Sequence, residues 1–470
     1  MKKHTKIVAT ISDQRCDIPF LEDLHNAGVN VVRINTAHQS IEGSKLLMKN
    51  IRQVSEGIAI LIDTKGPEVR TTVTRDPIEV QEGDEFIFKG DPDRPSVPGL
   101  IHVNYEKFVR DMKVGNRILI DDGELAFLVI KKNGDELVAK AENPGWIKSR
   151  KSLNIPGVSL NLPALSEKDK AYIEFAAVND VAFIAHSFVR SKEDILAIKQ
   201  ILGLKKSKVK IIAKIENQEG VDNIEEILDH AYGVMVARGD LGIEIAAERI
   251  PGIQRQLTEI CIRRKRPVII ATQMLHSMIE NPRPTRAEIS DIANAIYGKT
   301  DAIMLSGETA YGSYPIESVE IMTKVAQEVE ATKEYGDASI SSINNEITAF
   351  LANAAYQASN EVPIKAVICD SQTGRTGRYL AAMRSSHTVY AASYSIRVMR
   401  EMALSYGLEA FYLEPAKSND EYKRSVVNHL LKAKKINLDD RVVLIGGSFG
   451  PRKGATFLEI GLVKDLIHIH

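Results

Sequence analysis

Apolar positions fall in short, nearly unbroken β-branched runs: Lys6–Ile11, Asn30–Asn35, Ile58–Asp63, Val181–Ser187, Lys210–Glu216, Gly233–Ala237, Pro267–Thr272 and Ala302–Ser306. Runs without polar alternation suit parallel strands buried on both faces. Between most of them lie stretches with helical spacing, such as Ile18–Ala27, Lys168–Val178, Val221–His230 and Pro251–Arg263. Gly28 follows the first of these and precedes a strand, the place of a helix-ending glycine. Eight βα units in succession predict an α/β fold built on a (βα)8 TIM barrel.

One interval breaks the pattern. Thr71–Ile155 has no 3.6-residue period and instead shows short alternating runs at Glu85–Phe88, Arg117–Ile120, Ala126–Ile130 and Leu137–Ala141. Turn clusters such as Asp121-Asp122-Gly123 and Asn133-Gly134-Asp135 separate them. The reading is an all-β module of about 85 residues, a β-barrel lid inserted in a barrel loop. A helix expected at Ile316–Glu334 leads to Tyr335–Asn345, a linker rich in Ser, Asn, Gly and Asp. Strands at Lys365–Asp370, Thr388–Ala392 and Arg441–Ile445 then mark a separate α/β domain. The expected domains are a barrel at 1–70 and 156–345, a lid at 71–155 and a C-terminal regulatory domain at 346–470.

Composition narrows the function. Lys plus Arg number 61 and Asp plus Glu 62, a net charge of −1, which argues against nucleic-acid binding by bulk charge. The chain is 44% hydrophobic and 26% charged, so wholesale disorder is excluded. No apolar run reaches the roughly 18 residues that span a bilayer, and MKKHTKIVAT lacks the apolar stretch of a secretory signal. Cys16, Cys261 and Cys369 have no paired spacing and read as reduced core thiols. A cytoplasmic protein with no membrane partner is expected. Arg263-Arg264-Lys265-Arg266 reads as the positive end of a helix.

In such a barrel, chemistry sits at the C-terminal strand ends. Those ends carry Arg33-Ile34-Asn35, Asp63-Thr64-Lys65, His186-Ser187, Lys214-Ile215-Glu216, Arg238-Gly239-Asp240, Thr272 and Ser306-Gly307-Glu308. Glu216 and Asp240 lie on neighbouring strands and suit one Mg2+ or Mn2+, which takes carboxylates plus substrate oxygens. Lys214 and Glu216 alternate onto one face of their strand. With Arg33, Arg70 and Lys65 at the same rim, cations around a metal point to phosphoryl transfer. No Gly-x-x-x-x-Gly-Lys-Ser/Thr loop or protein-kinase motif occurs, so a nucleotide must bind by other means.

These strings resemble the pyruvate kinase family. Ile212-Ala213-Lys214-Ile215-Glu216-Asn217-Gln218-Glu219-Gly220 is similar to its active-site signature, as are Leu61–Arg70, Met235–Gly242, Ala271–Leu275, Asn281–Glu288 and Met304–Ala310. The resemblance implies glycolytic transfer of phosphate from phosphoenolpyruvate to ADP, giving pyruvate and ATP. It implies that Lys214 neutralises the moving phosphoryl group and that Glu216 and Asp240 hold the divalent metal. Arg33 would bind the substrate phosphate, with Gly239, Asp240 and Thr272 at its carboxylate. Thr272, Ser306 and Glu308 would form the proton-transfer network, with Ser187 supporting from behind. Asn35, His38, Arg70 and Lys151 would meet the nucleotide. The family also implies a homotetramer and an allosteric site for a phosphorylated effector, here at Ser371, Thr373, Gly374, Arg375 and Thr376, a loop between strand and helix.

The chain departs from the family in places. A K+ site would use Asn35, Asp63 and Thr64, but Ala37 lacks the hydroxyl of the usual fourth residue. Glu68, in contrast, is the type found in K+-using members. The two signals conflict, and a weakened or altered K+ site is expected. Ser12-Asp13 replaces the usual Gly-Pro, Tyr311 stands where some members have Lys, and Gly446–Gly454 is atypical. Two other readings stay open: a non-catalytic metabolite-binding paralogue and a Mg2+-dependent enolate lyase on the same barrel. Dependence on ADP separates the lyase from a kinase, and binding of metal or phosphoenolpyruvate without turnover would mark the paralogue.

Overall fold

The computed structural model describes residues 2–158, 160–332, 347–447 and 454–467; the expected linker and most of Gly446–Gly454 lie outside them. Strands Lys6–Thr10, Val31–Asn35, Ala59–Thr64, Phe183–His186, Lys210–Ile215, Gly233–Ala237, Val268–Ala271 and Ala302–Leu305 close a barrel in chain order. Every pairing is parallel, and the last strand returns to the first with Ala9 opposite Leu305. Asp17 caps the first helix by accepting from the Phe20 amide, and Gly28 ends it at φ 127 with its N–H on His25 and Leu24 carbonyls. A Cβ there would also stand 2.5 Å from Thr323 Oγ1, so glycine is required twice over.

Side chains alternate along each strand, so one parity faces the helices and the other the barrel axis. Ile7, Ile34, Ile62, Ile215 and Val236 take the first role. Val8, Val31, Leu61, Ile212 and Met235 take the second and fill the axis. Followed towards the C-terminal ends, the inward parity turns polar at Thr10, Arg33, Asp63 and Lys214, all buried. The barrel is thus an apolar plug below a charged layer. All three cysteines are buried and free, as expected.

The stretch Val221–His230, expected as one helix, is two: Gln218–Asp222 and Ile224–His230. Asn223 between them has ψ 12, and its side-chain amide donates to the Arg190 carbonyl at 2.9 Å. An asparagine that bonds elsewhere competes with the helix.

The lid is a six-stranded mixed sheet and a two-stranded ribbon rather than one closed barrel. The four expected runs are present, joined by Leu100–Val103, Leu153–Asn154, the ribbon Ile78–Val80 with Gly145–Ile147, and a helical turn at Phe108–Asp111. Those pieces are too short to show a period. Phe88, Phe108, Phe127 and Ile120 form a core separate from that of the barrel. The C-terminal sheet has five strands, ordered Leu408–Tyr412, Val389–Ser393, Ala366–Asp370, Arg441–Gly447 and Ala455–Leu462. The first and last are the edges. Half-buried edge strands lack the unbroken apolar run that marks the central three.

The C-terminal domain docks on the N-terminal rim of the barrel. Arg384 grips both Asp301 oxygens at 3.0 and 2.6 Å, and Asp301 also accepts the Tyr406 and Val268 amides. Nearby, Glu330 accepts the backbone amides of His4 and Thr5. His4 is 7% exposed and packs edge-on against Tyr406. Burial holds its imidazole at about 4 instead of 6.5; Glu330 opposes this, while Lys6, His387 and Lys2 add to it. The folded state therefore binds fewer protons at His4 than the unfolded chain. Stability from this group is complete above pH 6.5 and falls as pH drops from 6.5 towards 4, by up to about 1.4 kcal/mol per pH unit. His4→Asn should flatten the slope of unfolding free energy against pH in that window, measured by urea titration.

Among the described residues, no helix is long and apolar enough to cross a membrane.

Candidate active site

The charged layer at the barrel mouth is closely knit. Lys214 Nζ lies 2.9 Å from Glu216 Oε1, 3.3 Å from Asp63 Oδ1, and donates to Ser187 Oγ at 2.6 Å. Ser187 in turn donates to the Thr64 carbonyl at 2.7 Å. Arg33 donates to Asp63 Oδ2 at 2.7 Å and to Thr10 Oγ1 at 2.9 Å. Burial alone would raise the Asp63 carboxyl, but Lys214 and Arg33 outweigh it and hold it below the usual range. Burial would likewise strip the Lys214 proton, yet Asp63 and Glu216 outweigh it and hold the ammonium above its usual value. The lysine is therefore a fixed cation.

Glu216 behaves differently. Burial lifts its carboxyl to about 7 against the pull of Lys214, with Asp240 adding to the rise. Its second oxygen accepts the Phe188 amide at 2.6 Å. That amide is aimed by a backbone φ of 54 at Phe188, strain of order 1–3 kcal/mol that clusters at functional sites. Asp240 is half-buried and raised too, by burial and then by Asp122 and Glu68, against Lys214. Among the described residues no three His, Cys, Asp or Glu side chains form a ready metal cage. Two adjoining carboxylates that resist ionising together nevertheless suit a divalent cation whose other ligands are substrate or water oxygens.

Beside them, Thr272 has φ 69 and Gln273 φ 54, unusual for a β-branched residue and its neighbour. Thr272 Oγ1 accepts the Gly239 amide at 2.8 Å and donates to the Ala271 carbonyl. Arg238 holds the turn, donating to the Thr272 carbonyl at 2.8 Å and pairing with Asp291 at 2.7 Å. Glu308 is buried, and its two oxygens accept the Ser306 and Leu275 amides. The carboxylate thereby orients the loop that carries Ser306.

The lid and its junction with the barrel supply cations that are already partnered. Lys151 pairs with Asp121 at 2.7 Å, and Arg70 with Glu68 at 2.6 Å. Lys65 pairs with Glu68 as well, at 2.9 Å, so the positive rim expected from Lys65 and Arg70 is partly neutralised. A cleft of about 410 Å3 separates lid from barrel, with Asp122, Ser152 and Leu153 on one side and Phe188, Asn217 and Asp240 on the other. His38 is exposed and lines a separate open recess with Lys168 and Tyr172. Of the K+ candidates, Asn35 Oδ1 accepts the Ala37 amide, Asp63 is bound to two cations, and Thr64 Oγ1 meets His186 Nδ1 at 2.8 Å.

In the C-terminal domain, Ser371–Thr376 does join a strand to a helix, Arg375–Ala382, through Gly374 at φ 74. Ser371 Oγ caps it, accepting the Gly377 amide at 3.4 Å. Thr376 is buried, while Thr373 and Arg375 are exposed.

Several supports had no role assigned from the sequence: Thr10, the Phe188 amide, Arg238 as a brace rather than a strand-end cation, Asp121 beyond its turn, and Asp169. Asp169 also had a local sign, since Ser166-x-x-Asp169 is a capping box; its carboxylate also accepts the Lys65 amide at 3.1 Å.

Known proteins share this architecture. Residues 2–319 match the family described as pyruvate kinase, barrel domain, and residues 350–460 the pyruvate kinase alpha/beta domain. A pyruvate kinase of Borreliella burgdorferi is 48% identical over 99% of both chains. One from Bacillus licheniformis is 39% identical over 99% of this chain and 81% of its own. The solved structure of a pyruvate kinase from Cryptosporidium parvum superposes with a TM-score of 0.93, at 31% identity over 98% of this chain and 96% of the other. Likeness over the full length, with both family domains matched along the chain, leaves one conclusion: the chain belongs to the pyruvate kinase family.

Proposed function

We propose that the protein catalyses transfer of the phosphoryl group of phosphoenolpyruvate to ADP. The bond from phosphorus to the enol oxygen breaks, a bond to the terminal ADP oxygen forms, and the enolate left behind takes a proton at carbon to become pyruvate. The observation that carries this reading is the fixed Lys214 ammonium between Asp63 and Glu216, with Asp240 beside it at the barrel mouth. A buried cation that never loses its proton suits a phosphoryl group in flight better than general acid–base work.

Lys214 and Arg33 bind and orient the substrate phosphate, and the Gly239 amide and Thr272 its carboxylate. Glu216 and Asp240 would hold Mg2+ or Mn2+; such an ion supplies neutralising charge to the phosphoryl and enolate oxygens. Thr272, Ser306 and Glu308 order the proton path to the enolate. Asn35, His38, Arg70 and Lys151 receive the nucleotide, the last two after exchanging Glu68 and Asp121 for its phosphates. Lid closure over the cleft keeps water out. We further propose the domain bounds 1–70 with 156–345, 71–155 and 346–470, a homotetrameric assembly in the cytoplasm, and effector binding at Ser371–Thr376.

The K+ site is weak on this reading, because Ala37 offers no oxygen from its side chain and Asp63 and Thr64 are engaged elsewhere. Pyruvate formation from phosphoenolpyruvate and ADP with Mg2+, with and without K+, tests both points. Turnover that requires ADP is expected, with modest K+ stimulation. Ala37→Ser should enlarge that stimulation. A folded protein that binds phosphoenolpyruvate without turnover would instead be a binding paralogue.

A further inference from the structure

Where the barrel's N-terminal rim meets the C-terminal domain, positive charge is unbalanced. Arg378, on the helix Arg375–Ala382, stands 5.1 Å over the Tyr232 ring, and Lys210 Nζ approaches the same ring at 5.9 Å. Arg266 and Arg378 both line a narrow cleft with Pro267, Ser405 and the Asp301–Arg384 ion pair, whose charges cancel. Buried Glu401 pairs with Arg397 and, at 3.6 Å, with Lys210. The Tyr232 hydroxyl is spent on the Glu401 carbonyl at 2.8 Å. Neither Arg266 nor Arg378 has a carboxylate oxygen within 4.0 Å among the described residues; Arg378 reaches only the Thr373 carbonyl, at 3.4 Å, and the tyrosine.

Of the four cations, only Lys210 and Arg397 pair with Glu401; Asp229 acts on Arg266 from a distance, and Asp301 is taken by Arg384, so the two arginines have no direct acidic partner among the described residues. The crowding has electrostatic consequences. Burial, then Arg378, pulls Arg266 below its usual value, partly offset by Tyr232 and Asp229. Lys210 is lowered by burial, with Arg397 and Arg378 adding to it against Glu401. Half-buried like charges repel, and a multivalent anion would relieve them.

We propose that this junction is a binding site for a phosphate-bearing anion, gripped between Arg266 and Arg378 and flanked by Lys210 and Arg397. Two planar guanidinium groups favour phosphate oxygens, which accept bidentate pairs. The recess is only about 10 Å3, so the ligand lies across its mouth, touching barrel and C-terminal domain at once. The site is separate from the mouth of the barrel, where Lys214 lies at the opposite strand ends, and it does not depend on the proposed activity.

Calorimetric titration of the full chain with inorganic pyrophosphate, at constant ionic strength, tests it. Arg266→Gln with Arg378→Gln should weaken one class of sites by about tenfold or more, whereas Lys214→Met and Arg375→Gln should leave that class in place. Without anion, the double variant should melt no lower than the parent, since repulsion is removed. Citrate should compete poorly. Unchanged binding in the double variant overturns the proposal. Equal loss in Arg375→Gln also overturns it, placing the site at the loop, and citrate binding as tightly as pyrophosphate overturns the phosphate class. Because no turnover is read, failure here leaves the catalytic reading untouched.

Discussion

Lys214→Met is expected to cut turnover by about 10³–10⁵-fold, the scale seen when a cation facing a transferring phosphoryl group is lost. The ammonium touches Asp63, Glu216 and Ser187 together. Methionine keeps the length and the apolar stem but removes the charge. Asp63 retains Arg33 as a partner at 2.7 Å, so the fold should persist. Glu216 loses the cation that holds its carboxyl down, so metal-free protein should protonate there more readily. Divalent-ion binding should survive, because the repulsion from the lysine also disappears. Steady-state kinetics with a Mn2+ titration separate the two effects, and near-normal turnover would refute the assigned role. Lys214→Arg retains charge but not the compact point contact to three oxygens, and should recover only part of the rate.

The second large effect concerns stability. Asp301→Ala should cost about 3–5 kcal/mol, the usual loss when one member of a buried ion pair is removed. Asp301 and Arg384 are 3% and 5% exposed, and the carboxylate satisfies the guanidinium and two backbone amides. The alanine variant leaves Arg384 charged in a dry junction. Arg384→Met together with Asp301→Ala should be less destabilised than Asp301→Ala alone, because no charge is then stranded. Urea unfolding of both variants decides it, and a single-variant loss near zero would show that water reaches the pair. The same junction holds the basic cleft, so the two experiments report on neighbouring parts of one interface.

Much of this was legible in the chain. The eight apolar runs specify a buried parallel barrel because only strands covered on both faces can be so uniformly apolar. Strict alternation then places Lys214 and Glu216 on one side of their strand without further information, and the polar residues at each strand end collect at one mouth once the barrel closes. The family strings around Lys214, Asp240 and Thr272 are local and continuous, so they survive in one dimension. The edge strands Leu408–Tyr412 and Ala455–Leu462 were not visible, since partial burial erases the signal that reveals the central ones. Nor was the break at Asn223, where a side chain finds the Arg190 carbonyl more than thirty residues away.

Partnership is what only the tertiary structure decided. Arg33, Lys65, Arg70 and Lys151 read alike as cations facing a substrate, yet they are held by Asp63, Glu68 and Asp121. Glu308 reads as a proton carrier and also orients two backbone amides. Asp301 and Arg384, like Arg266, Arg378 and Tyr232, meet across a domain junction. Sequence determines which side chains exist and which face of a strand or helix each occupies, because those follow from local geometry. Which charges neutralise one another, and which are left in excess, depends on distances set by closure of the barrel and docking of the domains, and Coulomb energy depends on those distances alone.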